Sequence, residues 1–221
     1  MKPLRPHTLA CGALLALCSS SFAFEPVQFI AKSGTPESQQ WTKDGSLEPT
    51  SDTLNERTVL DVDDGDPAAS VVFRRDIDES AANEAAEAGF VLEVTGRIEP
   101  TSGPSSQRVE LGLPAARVVL SLNSINDTQW VGVITPENGK PIMTQSPDSD
   151  FHVWKVVGKP TDDGRIMLSY YCDGNLVAGN FSPLQGSKPN LVFGASGGNI
   201  ADRVGRVLYE KVVFRPLEEG D

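Results

Sequence analysis

Phe151-His152-Val153-Trp154, Tyr170-Tyr171-Cys172-Asp173-Gly174, Leu191-Val192-Phe193-Gly194 and Val207-Leu208-Tyr209-Glu210-Lys211-Val212-Val213-Phe214 follow one another in the C-terminal third of the chain. Short apolar and aromatic runs alternate there with Asp-Gly, Gly-Gly and Pro punctuation. That is the pattern of antiparallel strands joined by tight turns. The same texture runs upstream. Alternation predicts strands at Val27–Ala31, Thr58–Val62, Ser70–Arg74, Phe90–Ile98, Arg108–Leu113, Arg117–Leu122 and Gln129–Thr135. Further strands are predicted at Phe151–Val157, Ile166–Tyr171 and Arg206–Arg215. Breakers such as Asp64-Gly65, Ser102-Gly103-Pro104 and Asp163-Gly164 fall between most of them, a spacing that favours a sandwich over alternating helix and strand units.

Two segments depart from this rhythm. Asp78 to Ala88 is rich in Ala and Glu and ends at Gly89, which reads as an acidic helical turn or loop inserted between two strands. Ser33 to Asn55 is polar and rich in Pro, Gly and Ser, a long early loop with one strand near Asp44-Gly45-Ser46-Leu47. The acidic tail, 217–221, is expected to fray.

The N-terminus has the parts of a secretory signal. Lys2, Arg5 and His7 precede an apolar run from Leu9 to Cys18, too short to span a bilayer, and Ser21-Phe22-Ala23 offers small residues for cleavage. Residues 1–23 are therefore expected to be removed, leaving 24–216 as a single domain in a secreted or periplasmic protein. Cleavage takes Lys2 and Arg5 from 19 basic residues and none from the 30 acidic ones, moving the net charge from −11 to −13. Such a surface repels phosphate, so nucleic acid is excluded as a partner. No second apolar run reaches transmembrane length. Of three cysteines, Cys172 alone remains after cleavage, so no intrachain disulfide can form.

Phe151-His-Val-Trp154, Tyr171-x-Asp173-Gly174-x-Leu176 and Leu191-x-Phe193-Gly194 together resemble the concanavalin A-like lectin/glucanase superfamily. The likeness is to its laminin-G-like members and to the lectin-like domains beside bacterial sialidases. Trp41-Thr-Lys-Asp44-Gly45-Ser-Leu47 is similar to a further motif of that family, one residue shorter before the Asp. The resemblance implies an all-β, two-sheet antiparallel jelly-roll sandwich that meets ligands on its concave face or at its loop rim. Motifs of this kind mark fold more than function.

Enzymatic chemistry finds little support in the residues. Glucanases of the superfamily carry alternating carboxylates on one strand, Glu-x-Asp-x-Glu, and no such run occurs here. Glu93 and Glu110 stand singly within strands, as outward-facing residues do. His152 with Tyr170 or Tyr171 is the one pair that a polysaccharide lyase could use for proton abstraction. A non-enzymatic binding module is expected instead, for a glycan or polysaccharide or, failing that, a protein surface. Trp130, set among Asn126, Asp127 and Gln129, is the tryptophan placed to stack on a sugar ring. Asp61, Asp63, Asp64 and Asp66 cluster around Gly65 and form the candidate calcium loop, since hard cations take clustered oxygens. They depart from the EF-hand pattern at Gly65.

Overall fold

The structure is a computed structural model describing residues 24–63, 65, 69–99, 107–125, 128–136, 141–146, 150–195 and 205–221. Its strands begin with β1 (Val27–Ile30), β2 (Thr42–Gly45), β3 (Thr50–Leu54), β4 (Arg57–Asp63) and β5 (Val71–Asp76). A helix, α1 (Glu79–Ala88), leads into β6 (Phe90–Glu99), β7 (Gln107–Gly112), β8 (Arg117–Ile125), β9 (Thr128–Ile134) and β10 (Pro141–Ser146). The chain then forms β11 (His152–Pro160), β12 (Ile166–Cys172), β13 (Asn175–Phe181), β14 (Asn190–Ala195) and β15 (Arg206–Pro216).

These strands form two antiparallel sheets packed face to face. One has eight strands in the order β13-β12-β11-β6-β15-β4-β3, with β1 also on β15; the other has seven, β10-β9-β8-β7-β14-β5-β2. The chain changes sheet between β1 and β2, β2 and β3, β4 and β5, β5 and β6, β6 and β7, β10 and β11, β13 and β14, and β14 and β15. Alternation along a strand therefore sends one set of side chains into the space between the sheets and the other outward. In β6, Phe90, Leu92, Val94 and Ile98 are fully buried while Glu93, Thr95 and Arg97 keep surface.

Phe193 of β14 is the centre of the core. Its ring meets Phe29 at 5.1 Å, Trp41 at 5.0 Å, Phe73 at 5.2 Å and Tyr209 at 5.2 Å. Phe29 and Tyr209 belong to the eight-stranded sheet and Phe73 to the seven-stranded one, so one ring ties both layers together. Polar groups cross between the layers as well. Gln107 Nε2 donates to the Val62 carbonyl (3.0 Å) and its Oε1 accepts from Tyr209 (3.2 Å). Gln129 Oε1 accepts from the Ile98 N–H (2.9 Å), and Tyr170 Oη donates to the Val131 carbonyl (3.3 Å). Each buried side chain satisfies a group on the facing sheet and so fixes how the layers sit.

Several local expectations meet their outcome here. The Ala- and Glu-rich segment is a helix of ten residues with Ala82 and Ala85 buried, closed by Gly89 at φ 94°. The early polar segment holds two strands, β2 and β3, rather than one. β3 has almost no buried residue and lies at a sheet edge, so it carries no alternation to read. The tail is tied to the eight-stranded sheet. Asp221 turns back onto Arg215, whose two Nη atoms donate to its carboxylate at 2.7 and 2.8 Å, and Lys155 lies 3.4 Å away. The Arg215 guanidinium holds the Asp221 carboxyl far below the ordinary carboxylate range, despite partial burial. No helix among the described residues is long and apolar enough to cross a membrane.

Candidate functional site

Trp130 sits on β9 between inward-facing Gln129 and Val131, so its indole lies on the outer face of the seven-stranded sheet. Trp41 and Trp154 are buried in the core; Trp130 is the tryptophan that keeps surface. Its Nε1 is covered and has no hydrogen-bond partner among the described residues, so the surface the ring shows is carbon. Antiparallel register places Asn123 of β8 opposite it on one side and Gln145 of β10 on the other. One residue row thus carries amide, indole, amide across three strands.

The next outward row runs Met143, Gly132, Ser121, Arg108. Met143 is 40% exposed, and Ser121 Oγ accepts from Asn123 Nδ2 at 2.9 Å. A side chain at position 132 would collide with Pro141 and Met143, so glycine there lets β10 close over β9 beside the indole. Glu110 of β7 accepts from Arg117 Nε at 2.8 Å and lies 3.8 Å from Arg108. It is the one carboxylate among the described residues of β7 to β10. Glu93, on the opposite sheet, is bound by Lys211 at 2.8 Å. Both glutamates are outward residues held by a cation.

A second arrangement lies at the sandwich rim, where β12 turns into β13. Asp173 and Gly174 have φ of 50° and 77°, and Cys172 pairs with Asn175 across them. This is a two-residue hairpin of the type that Asp-Gly favours. The turn also straps the hairpin to β11. Asp173 Oδ1 accepts from the Val153 N–H (2.8 Å), its Oδ2 lies 2.7 Å from His152 Nδ1, and its own N–H donates to the Val153 carbonyl (2.9 Å). The Cys172 thiol donates weakly to the same Oδ2 at 3.7 Å. Burial raises the Asp173 carboxyl, but the Val153 and His152 hydrogen bonds outweigh it and hold the group below its ordinary value.

That depressed carboxyl has a stability consequence. A group with a lowered folded pKa stabilises the fold above its unfolded value and loses that contribution as pH falls. Asp173→Asn, read by denaturant midpoints across pH, is expected to cost on the order of 1 kcal/mol at pH 7. The gap between variant and wild type closes as pH drops below the ordinary carboxyl value of 3.8. A gap independent of pH would show that charge plays no part in the strap.

The lyase pairing does not form. Tyr170 is buried with its hydroxyl on the Val131 carbonyl, and burial pushes that hydroxyl far above its ordinary range. Tyr171 lies on the other face of β12, 5.2 Å from Lys155. His152 turns to Asp173 instead.

The candidate calcium aspartates are divided. Asp61 is buried on β4 and both its oxygens are taken by Arg206, at 2.6 to 3.2 Å. Asp63 is exposed and accepts from the Gly65 N–H at 3.1 Å. Asp64 and Asp66, like Asn126 and Asp127 beside Trp130, lie outside the described residues. A further groove, about 450 Å³, opens where β1 and β4 share the edge of β15, lined by Lys32, Glu56, Arg57 and Glu210. Arg57 is ion-paired with Glu210 there and stacks over Phe151.

No family model matches the chain, and no curated protein matches its sequence. Solved structures do. A carbohydrate esterase, vb_24B_21 from Shiga toxin-encoding bacteriophage phi24B, superposes with a TM-score of 0.66 at 10% identity, over 87% of this chain and 98% of its own. Botulinum neurotoxin type C, whose cell entry depends on interaction with two ganglioside molecules, gives 0.53 at 9% identity over 80% of this chain. The binding domain of botulinum neurotoxin DC in complex with rat synaptotagmin II gives 0.50 at 9% identity. The chain spans 44% of each of these two toxin structures. At such identities the likeness shows the fold: a two-sheet antiparallel sandwich.

Proposed function

We propose that this chain is a secreted or periplasmic carbohydrate-binding module of the concanavalin A-like kind, whose glycan lies on the outer face of the seven-stranded sheet over Trp130. The observation that carries the reading is the row Asn123, Trp130, Gln145. A pyranose offers an apolar face ringed by hydroxyls, and a carbon surface flanked by amide donors and acceptors matches both. Ser121 and Arg108 extend the polar rim. The toxin domains of the same fold, one of them tied to gangliosides, support a glycan as partner.

The test is a glycan and polysaccharide array probed with the chain from Phe24, with calcium and again with chelator. Binding that survives chelation and falls in Trp130→Ala supports the reading. Binding lost on chelation would assign calcium to the site and direct attention to the loop from Asp61 to Asp66. A blank array under both conditions would overturn it in favour of a protein partner, the class represented by the synaptotagmin complex.

A second reading, hydrolysis of a sugar ester, is favoured by one observation. His152 is held at Nδ1 by Asp173, the way a general base is oriented in hydrolases, and the phage protein of the same fold is a carbohydrate esterase. Acetate release from an O-acetylated polysaccharide, abolished by His152→Ala, would replace the binding-only reading.

A further inference from the structure

His152, Cys172 and Asp173 offer one imidazole nitrogen, one thiol sulfur and one carboxylate oxygen that all lie within 4.8 Å of one another. This is the one such group of three among the described residues. We propose that it is a binding site for a zinc-class divalent cation, set at the sandwich rim and separate from the Trp130 face.

Three features carry this. The donors are mixed nitrogen, sulfur and oxygen, the set that selects zinc and its neighbours; calcium and magnesium take oxygen alone. The spacing is close to what a cation needs. With bonds of about 2.0–2.3 Å, ligands around a tetrahedral ion stand about 3.3–3.8 Å apart. The sulfur and Asp173 Oδ2 are already 3.7 Å apart. The His152 nitrogen and Oδ2 are 2.7 Å apart across a shared proton, and they open slightly when a cation replaces that proton.

The third feature is the support around the ligands. Asp173 Oδ1 is fixed by the Val153 N–H, which leaves Oδ2 to serve the site, and outer hydrogen bonds of this kind orient metal ligands. His152 and Cys172 are buried on adjacent strands, while Asp173 stands exposed on the turn. The protein thus supplies three ligands, and water completes the fourth position on the Asp173 side. Binding releases the Cys172 thiol proton, so the bound sulfur is a thiolate; the proton between His152 Nδ1 and Asp173 Oδ2 passes to His152 Nε2, or to water where Nε2 already carries one, and the cation keeps its charge of +2.

The experiment uses the chain from Phe24, which holds every strand described, reduced and stripped of metal, then titrated with Co²⁺ and back-titrated with Zn²⁺. The expected result is one Co²⁺ per chain with thiolate-to-cobalt absorption in the near ultraviolet, displaced by Zn²⁺. Cys172→Ser loses that absorption, and Asp173→Asn on the exposed turn weakens Co²⁺ binding at least about tenfold. Should Cys172→Ser fail to fold, the Asp173→Asn affinity decides, together with a wild-type melting temperature that rises with Zn²⁺. No thiolate absorption at millimolar Co²⁺, or absorption that survives in folded Cys172→Ser, overturns the site.

Discussion

Phe193→Ala is expected to lower the free energy of unfolding by about 3–5 kcal/mol, with the denaturant midpoint as the readout. The ring is fully buried and meets four other rings drawn from both sheets and the early loop, so nothing nearby can collapse into the space it leaves. Against a usual domain stability of about 5–15 kcal/mol, that loss brings the fold near its threshold. Among the described residues no disulfide compensates, because Cys172 is the one cysteine there. Leu176→Ala is the control: its side chain is 61% exposed on β13, and its removal should change stability by about 0.5 kcal/mol at most. Equal effects from the two variants would mean that the sheets do not pack around Phe193.

Trp130→Ala should weaken glycan binding about thirtyfold, the usual effect of removing a central aromatic anchor. The ring is half-buried on the outer face, so the same change should lower the unfolding midpoint much less than Phe193→Ala does, and affinity is read on folded protein. Trp130→Phe keeps a stacking surface and most of the affinity. Asn123→Ala and Gln145→Ala each remove one amide and should cost about threefold to tenfold. Isothermal titration with the best glycan from the array measures all four. Unchanged affinity in Trp130→Ala would move the binding site off this sheet.

How much of this could be read from the chain depends on whether the signal was local. Alternation in Phe90–Ile98 marked β6 to within a residue of its observed end at Glu99, because one face is packed and the other meets solvent. Asp173-Gly174 announced its hairpin through the positive φ that both residues adopt. Ala, Glu and a closing glycine suggested a helical turn or loop where the chain forms a ten-residue helix. Strands β3 and β10 were not, since both lie at sheet edges where little is buried and no period of two develops.

Partners across strands were out of reach altogether. Asp61 read as an oxygen ligand because its neighbours are acidic, yet its own partner is Arg206, 145 residues away. Asn126 and Asp127, named for Trp130 by adjacency, lie outside the described residues; the register adds Asn123 and Gln145, which adjacency could not show. A strand's neighbours in space are fixed by pairing, which single-chain periodicity does not encode. His152 was matched with tyrosines for the same reason: the strap to Asp173 appears only once the hairpin folds back on β11. The tail's anchoring by Arg215 likewise needs the folded sheet to bring Lys155 and Arg215 together.

Whether the glycan meets the indole of Trp130 is read from amide and indole N–H chemical shifts during titration with the best array glycan. Three tryptophans give three indole signals, assigned through Trp130→Phe. The Trp130 indole and the amides of Asn123, Gln145 and Ser121 should shift together, while the buried Trp41 and Trp154 indoles stay in place. Shifts confined to the groove at Lys32, Arg57 and Glu210, or to the rim at His152 and Asp173, would contradict it.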